Sequence, residues 1–294
     1  MTGIGLAGLT ALVIMGGLTR IAKVVGYLVP FMAGAYLLLA LSVTIFHLSS
    51  VPGVLLLIVK SAFGWDSVMG AGIGIAMMTG IKRGLFSNEA GMGAVANAAA
   101  TADASHPVKQ GLVQALGVYF DTLVVCTASA MLVLLTPGWN TSGLTGIELV
   151  QHNLTGEFGS WINIFITVII LFFAFSSIVG NYFYGEINMD FICRHPVSIW
   201  IFRAFVVMMV FLGSVASLSF VWNLADLFMA LMAIVNLVAI GMLGRVAFVA
   251  LNDYVEQKRR GIMNPEFDPR VLGDRKGILS WPRHQEEELD QNIL

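Results

Sequence analysis

Residues 72–102, which decide the fold, read GIGIAMMTGIKRGLFSNEAGMGAVANAAATA. As one straight helix these 31 residues would be about 46 Å long, whereas about 20 residues are enough to cross the hydrocarbon core of a bilayer. Three charged residues, Lys82, Arg83 and Glu89, lie inside this run of apolar and small residues. They are accompanied by Gly80, Gly84, Gly91 and Gly93. The pattern predicts a broken helix whose two halves meet at residues 86–91.

A broken helix has a specific use in a membrane. It exposes carbonyl groups at the end of one half-helix, which can coordinate Na⁺, and amide groups at the start of the next, which can hold a carboxylate. Such backbone is tolerated at membrane depth only where it lines a cavity inside the protein. In the alternative interpretation, Lys82 and Arg83 lie at the membrane interface and Glu89 pairs with one of them.

The composition of the whole chain agrees with a membrane protein. Of its 294 residues, 57% are hydrophobic and 12% are charged, against about 45–50% and about 25% in a typical soluble domain. This balance argues against an ordinary soluble protein and excludes a disordered one. The net charge of −2 gives no basic field for nucleic acid, so we expect no nucleic-acid partner. Cys126 and Cys193 form no metal-binding spacing, and we expect both to be small buried hydrophobic residues.

The charges are concentrated at the C-terminal end. Residues 1–250 contain 18 charged residues, and residues 251–294 contain 16. We therefore predict an all-α integral membrane domain over 1–250 and a polar tail over 251–294. The runs are long and continuous, which favours helices over a barrel. The predicted spans, about seven, lie near 2–18, 28–48, 72–102, 110–136, 160–188, 198–218 and 222–250. Two shorter stretches, 50–64 and 142–158, are expected to form an interfacial or re-entrant helix and a surface helix.

Basic residues set the predicted orientation. Lys258, Arg259 and Arg260 follow the last predicted span, and the loop at 137–159 contains neither Lys nor Arg. The positive-inside rule therefore predicts a cytoplasmic C-terminus. The first predicted span follows Met1 almost at once and is short, so we expect either a chain that starts there or the back part of a longer one.

Two further polar groups lie within predicted spans. Asp121 is an intramembrane acid, which is by default a functional candidate, although it could instead pair with an arginine or cap a helix break. Ser176, Ser177 and Asn181 lie within about one helical turn and could face a cation or an amino group. Their alternative role is the packing of neighbouring helices by small polar residues.

A weaker candidate set lies on the last span. It comprises Trp222, Asn223, Asp226 and Asn236. Asp226 is expected near the outer membrane face, where an acid costs little, so we favour a structural interpretation for this set.

Several of these segments resemble the sodium:alanine symporter family of alanine or glycine carriers. The similarity is closest at residues 83–93, RGLFSNEAGMG, and continues at 106–112, HPVKQGL, and at 121–127, DTLVVCT. Shorter similar stretches lie at 17–22, 29–32, 173–177 and 184–186. The resemblance covers roughly residues 8–250, and the NEAG stretch is specific enough to make a chance match improbable.

The resemblance implies a fold. It would be part of the inverted-repeat bundle of leucine-transporter-like carriers, in which the span at 72–102 opens the second repeat as its broken first helix. The four spans after it would complete that repeat, the two before it would end the first repeat, and the helix at 142–158 would be an outer gate element. Family members have further spans ahead of the position numbered 1 here, so the resemblance predicts a truncated chain.

The resemblance also implies a function: Na⁺-coupled symport of a small neutral amino acid, alanine or glycine, across the inner cell membrane of a bacterium. The coupling ion would be Na⁺, with H⁺ as the alternative, and no other metal or cofactor is expected. The expected partners are the amino acid, Na⁺ and the lipid bilayer. The implied substrate-binding residues are Phe86, Ser87, Asn88, Glu89, Gly91 and Asn181. Ser176 and Ser177 would bind Na⁺, and Asp121 and Asp226 would be structural or coupling acids.

Three rival interpretations remain open. The span count alone would suit a seven-span receptor. Glu89 and Asp121 could serve an intramembrane enzyme, but no nucleophile–base motif such as GxSxG or HExxH accompanies them. The chain could also be a fragment that does not transport.

Overall fold

A computed structural model describes residues 2–63, 71–136, 143–144, 146–193, 195–273 and 281. Among these residues the regular backbone is helical throughout, and no strand is present. The helices are α1 (Thr2–Ile14), α2 (Gly17–Phe46), α3 (Val51–Ala62), α4 (Ala71–Asn88), α5 (Ala94–Ala100), α6 (Pro107–Phe120), α7 (Thr127–Leu134), α8 (Gly146–Phe158), α9 (Trp161–Ile192), α10 (Pro196–Val215) and α11 (Leu218–Arg259). A π-helical turn, Asp121–Cys126, joins α6 to α7. The predicted all-α fold class is confirmed.

Five segments within the described residues are long and apolar enough to cross a membrane. They are Val25–Phe46, Pro107–Leu134, Trp161–Ile192, Pro196–Val215 and Leu218–Arg259. The chain is therefore a multi-pass membrane protein. The short stretches expected to be interfacial and surface helices are α3 and α8. The seven-span count stays a prediction, because α1 has 13 residues and α4 is followed by an interruption.

Two predicted boundaries differ from the observed helices. The sequence predicts a connection between spans that end at 18 and begin at 28, but α2 runs without interruption from Gly17 because the polar residues there do not break a helix. The predicted tail begins at 251, yet α11 continues to Arg259. Residues 245–260 contain neither Gly nor Pro, and the helix ends beside Gly261, which has a φ of +85°. The first part of the tail is therefore helical.

The chain divides into two compact units. The first comprises Met1–Ser87 and Phe120–Asp226, and the second comprises Asn88–Tyr119 and Leu227–Leu294. The main core of the first unit is formed by apolar side chains of α2, α7, α8 and α9. Its fully buried members include Val43, Leu132, Leu154 and Ile162.

A buried ion pair joins α9 to α10 in the first unit. Arg203 Nη2 donates to Glu186 Oε1 at 2.7 Å, and Arg203 Nε donates to the hydroxyl oxygen of Tyr182 at 2.9 Å. The two helices approach closely at Gly185, since a Cβ built on this residue would lie only 2.4 Å from Phe202 Cζ. Any larger residue at position 185 would therefore displace the ring of Phe202.

In the second unit, the segment after α11 packs against the loop that precedes α6. The backbone N–H of Phe267 donates to the carbonyl of Ser105 at 2.9 Å, and Trp281 Nε1 donates to the carbonyl of Ala104 at 2.8 Å. His106 is fully buried between these segments, where its Nδ1 accepts from the N–H of Val108 at 3.2 Å. This bond caps the start of α6.

The contacts of the buried ring of His106 suit its neutral form. Its Nε2 lies 3.2 Å from Asp253 Oδ2, the rings of Tyr254 and Phe267 pack against it, and Lys109 lies on the next turn. Burial lowers the pKa of His106 below its ordinary value of 6.5, although Asp253 acts in the opposite direction. A neutral ring that accepts at Nδ1 donates from Nε2, so His106 donates a hydrogen bond to Asp253 in this arrangement.

Candidate functional site

The predicted helix break is present. Helix α4 ends at Asn88, and α5 begins at Ala94. Three residues between them have positive φ angles: Glu89 at +52°, Gly91 at +88° and Gly93 at +85°. Glycine adopts such angles freely, whereas Glu89 does so at a cost of order 1–2 kcal/mol. The backbone strain of this segment therefore lies at Glu89.

A hydrogen-bonded pair lies at the end of α4. Ser87 Oγ donates to Asp121 Oδ2 at 2.6 Å, and Cys126 Sγ lies 3.6 Å from the same hydroxyl. Asp121 is the first residue of the π-helical turn, a local distortion that is common at functional sites. The sequence left open a pairing of Asp121 with an arginine, but its partners here are the hydroxyl of Ser87 and, at 3.9 Å, the thiol of Cys126.

Asp226 forms a second polar cluster with α4. Arg83 Nη2 lies 2.8 Å from Asp226 Oδ1, and Lys82 Nζ lies 3.4 Å from Oδ2. The guanidinium group of Arg83 stacks over Trp222 at 4.2 Å, and Phe86 contacts the same ring edge-on at 5.1 Å. Lys82 and Arg83 thus share the carboxylate of Asp226. This acid belongs to the set on the last span for which the sequence favoured a structural interpretation.

Ser176 and Asn181 of α9 both donate to carbonyl groups of their own helix, and Ser176 Oγ also lies 3.9 Å from Met32 Sδ of α2. Ser176 Oγ donates to the carbonyl of Phe173 at 2.9 Å, and Asn181 Nδ2 donates to the carbonyl of Ser177 at 2.9 Å. These bonds use the donors and leave lone pairs on Ser176 Oγ and Asn181 Oδ1. Both side chains can therefore offer an oxygen to a cation or an ammonium group.

The sequence undervalued Asn236. Its Nδ2 donates to the carbonyl of Gly91 at 2.9 Å, inside the interruption between α4 and α5. A Cβ on Gly93 would lie 2.9 Å from Asn236 Oδ1, so the asparagine also fits closely against the residue that precedes α5. A lone amide on an apolar helix gave no signal that it would reach a segment about 145 residues away.

An apolar cavity of about 260 Å³ lies among α2, α7, α8 and α9 in the first unit. Its lining includes Tyr36 and Ser129, whose hydroxyl groups bond to one another at 2.8 Å, and also Leu154 and Phe173. The remaining lining is almost entirely aliphatic. A cavity of this volume and lining suits the apolar side chain of a ligand better than the charged ammonium or carboxylate group of an amino acid.

Both cysteines lie at the ends of helical segments, and both side chains are exposed, so the expectation that they are buried is wrong. Cys126 closes the π-helical turn beside Asp121, and Cys193 follows the last residue of α9. Within the described residues, no group of three or more His, Cys, Asp or Glu side chains lies close enough together to hold a metal ion.

The sequence is similar to known carriers over most of its length. A model of the sodium:alanine symporter family matches residues 1–269. "Probable sodium/glutamine symporter GlnT" of Bacillus subtilis (strain 168) is 47% identical over 280 residues, which is 95% of this chain and 58% of the relative. "Amino-acid carrier protein AlsT" of the same organism is 44% identical over 98% of this chain and 61% of the relative.

A third relative names a proton as well as sodium. "Sodium/proton-dependent alanine carrier protein" of Bacillus sp. (strain PS3) is 37% identical over 93% of this chain and 65% of the relative. The chain therefore spans about three-fifths of the length of the curated relatives that it matches.

Proposed function

The chain belongs to the sodium:alanine symporter family, whose members are symporters and not enzymes, and on that basis we propose that it is the larger part of a cation-coupled carrier for small neutral amino acids. The observation that carries the proposal is the interruption between Asn88 and Ala94, which exposes backbone groups inside an apolar helical protein. Neither a receptor nor a packing helix requires a segment held at three positive φ angles.

We assign the amino acid to the segment at 86–91, and we propose Asn181 as a further substrate-binding residue. Amide groups freed by the interruption suit the carboxylate of an amino acid, and the lone pairs of Asn181 Oδ1 suit its ammonium group. Alanine and glutamine, which the names of relatives contain, are the first substrates to test.

We assign Na⁺ to Ser176 and Ser177, with Asp121 and Asp226 as coupling or structural acids. The hydroxyl of Ser176 donates to its own helix and keeps its lone pairs for a hard cation. The bond from Ser87 to Asp121 links the end of α4 to an acid whose negative charge would attract the bound cation. A cytoplasmic C-terminus and a bacterial inner membrane complete the proposal.

The driving force of one Na⁺ is sufficient for uphill transport. A charge that moves through about 100 mV gives about 2.3 kcal/mol. A tenfold Na⁺ gradient adds about 1.4 kcal/mol. The sum, about 3.7 kcal/mol, supports roughly a 500-fold amino-acid gradient for each Na⁺.

The test is uptake of labelled alanine, glycine and glutamine by the protein, as encoded by its gene, in proteoliposomes. An inward Na⁺ gradient should drive accumulation of at least one substrate, and a proton gradient without Na⁺ distinguishes H⁺ coupling. A receptor or a non-transporting fragment would accumulate none of the three. That result would refute the proposed function.

The ion assignment has its own matched variants. Ser177→Ala and Ser176→Ala should raise the Na⁺ concentration that gives half-maximal uptake. Ser42→Ala is the control, because Ser42 also donates to a carbonyl of its own helix, that of Leu38 at 2.8 Å. If Ser177→Ala leaves the apparent Na⁺ affinity unchanged, Ser177 is not a ligand.

A further inference from the structure

Asn236 lies in α11, and both ends of its amide group contact the interruption. Nδ2 donates to the carbonyl of Gly91 at 2.9 Å. Oδ1 and Cγ lie 2.9 and 3.1 Å from the position that a Cβ on Gly93 would occupy. All three residues belong to the same compact unit. One side chain therefore bonds to the segment at Gly91 and lies close to it at Gly93.

The contact at Gly91 has a clear physical purpose. The interruption removes intrahelical partners from several carbonyl groups, and an unpaired carbonyl in an apolar environment carries a large free-energy penalty. Asn236 supplies the missing donor to one of them. The carbonyl of Gly91 is therefore occupied by protein and points toward α11, which leaves other backbone groups of the segment to bind ligand.

The contact at Gly93 makes the arrangement specific. Gly93 has a φ of +85° and directly precedes α5. A side chain at this position would be strained by its backbone and would also press on the amide of Asn236. A side chain at position 93 would therefore force the amide of Asn236 to shift.

We propose that Asn236 is a positioning residue, which holds the carbonyl of Gly91 and the turn at Gly93 and so sets the geometry of the segment that binds the amino acid. The inference rests on the proposed function, because it concerns the same segment. It differs from packing by a small polar residue, because a packing role needs the shape of asparagine and not its N–H donor.

The experiment compares Asn236→Ala and the isosteric Asn236→Asp with wild type in the reconstituted full protein. Asn252→Ala is the control, since Asn252 is an exposed asparagine on the same helix. Loss of one net hydrogen bond should raise the KM for the amino acid about five- to tenfold, while Vmax stays within about twofold. Asn236→Asp should raise the KM as well, because the carboxylate cannot donate to Gly91.

Gly93→Ala gives an independent route to the same state. Its Cβ would displace the amide of Asn236, so the variant should also raise the KM. If both changes act through the Gly91 bond, the double variant should raise the KM less than the product of the two single effects. Multiplicative effects would overturn the proposal.

Other outcomes are also decisive. A KM for Asn236→Ala equal to that of Asn252→Ala, or a normal KM in Asn236→Asp, overturns the positioning role. If the wild-type protein transports no amino acid, the proposed function fails separately. Hydrogen exchange at residues 88–93 then tests the geometry: exchange about tenfold faster in Asn236→Ala supports the role of Asn236, and unchanged exchange overturns it.

Discussion

Replacing Glu186 by alanine should destabilise the protein strongly. The side chains of Glu186 and Arg203 are 8% and 16% exposed, so solvent screens their ion pair little. Removal of one partner leaves the other charge buried, which costs about 3–5 kcal/mol. At about 2–4 °C for each kcal/mol, the apparent Tm should fall by roughly 10 °C.

The structure adds a sharper expectation for this pair. Glu186 Oε2 is buried, and no hydrogen bond to it is present among the described residues. The interactions of the carboxylate therefore offset only part of its desolvation, and apolar residues of similar volume should replace the pair at little cost. The double variant Glu186→Leu with Arg203→Met should recover most of the Tm that either single variant loses.

The assay is thermal unfolding of purified protein in one detergent at one scan rate, since membrane proteins often unfold irreversibly. Glu256→Ala is the matched control, because Glu256 pairs with Arg260 on the exposed end of α11. An exposed pair at this spacing contributes about 0.3–0.5 kcal/mol, so the Tm of Glu256→Ala should fall by no more than about 2 °C. Equal shifts for Glu186→Ala and Glu256→Ala would contradict the effect of burial, and so would a double variant whose loss equals the sum of the single losses.

Three further results are expected. Because burial lowers the pKa of His106, the folded protein binds a proton at this ring less readily than the unfolded chain does. The contribution of His106 to stability is therefore complete above about pH 6.5 and declines below that pH. His106→Gln should flatten the curve of Tm against pH below about pH 6.5. Gly185→Ala should lower stability by about 1–3 kcal/mol in a denaturation series, because its Cβ meets the ring of Phe202, and Phe202→Leu should relieve part of that loss. Asp226→Asn should lower the Tm more at low than at high salt, since it leaves Arg83 without its carboxylate.

The interruption in the membrane helix could be predicted from sequence because its signals are local. Glycine and charge inside an apolar run of 31 residues are unfavourable in a continuous membrane helix, and the end of α4 at Asn88 falls within the predicted segment. The short helices α3 and α8 were predictable from equally local patterns. Boundaries were less accurate, since polar residues 251–259 could continue a helix as well as end it.

The side-chain partners could not be predicted in the same way. The bonds from Asn236 to Gly91 and from Arg83 to Asp226 join residues more than 140 positions apart, and hydropathy carries no information about such distances. The sequence suggests only that Asp226 lies near the membrane face, whereas its carboxylate in fact pairs with two cations, Lys82 and Arg83. Tertiary contacts of this kind depend on how the helices pack.

Ion coupling at the interruption is tested most directly by the Na⁺ dependence of amino-acid accumulation in Asp121→Asn. The bond from Ser87 ties this acid to the end of α4, so loss of its charge should abolish Na⁺-driven accumulation or raise the required Na⁺ concentration at least tenfold. Asp190→Asn, at an exposed acid near the end of α9, should accumulate substrate like wild type. If Asp121→Asn accumulates alanine or glutamine with wild-type Na⁺ dependence, the acid beside the interruption takes no part in coupling, and the coupling role of Asp121 is wrong.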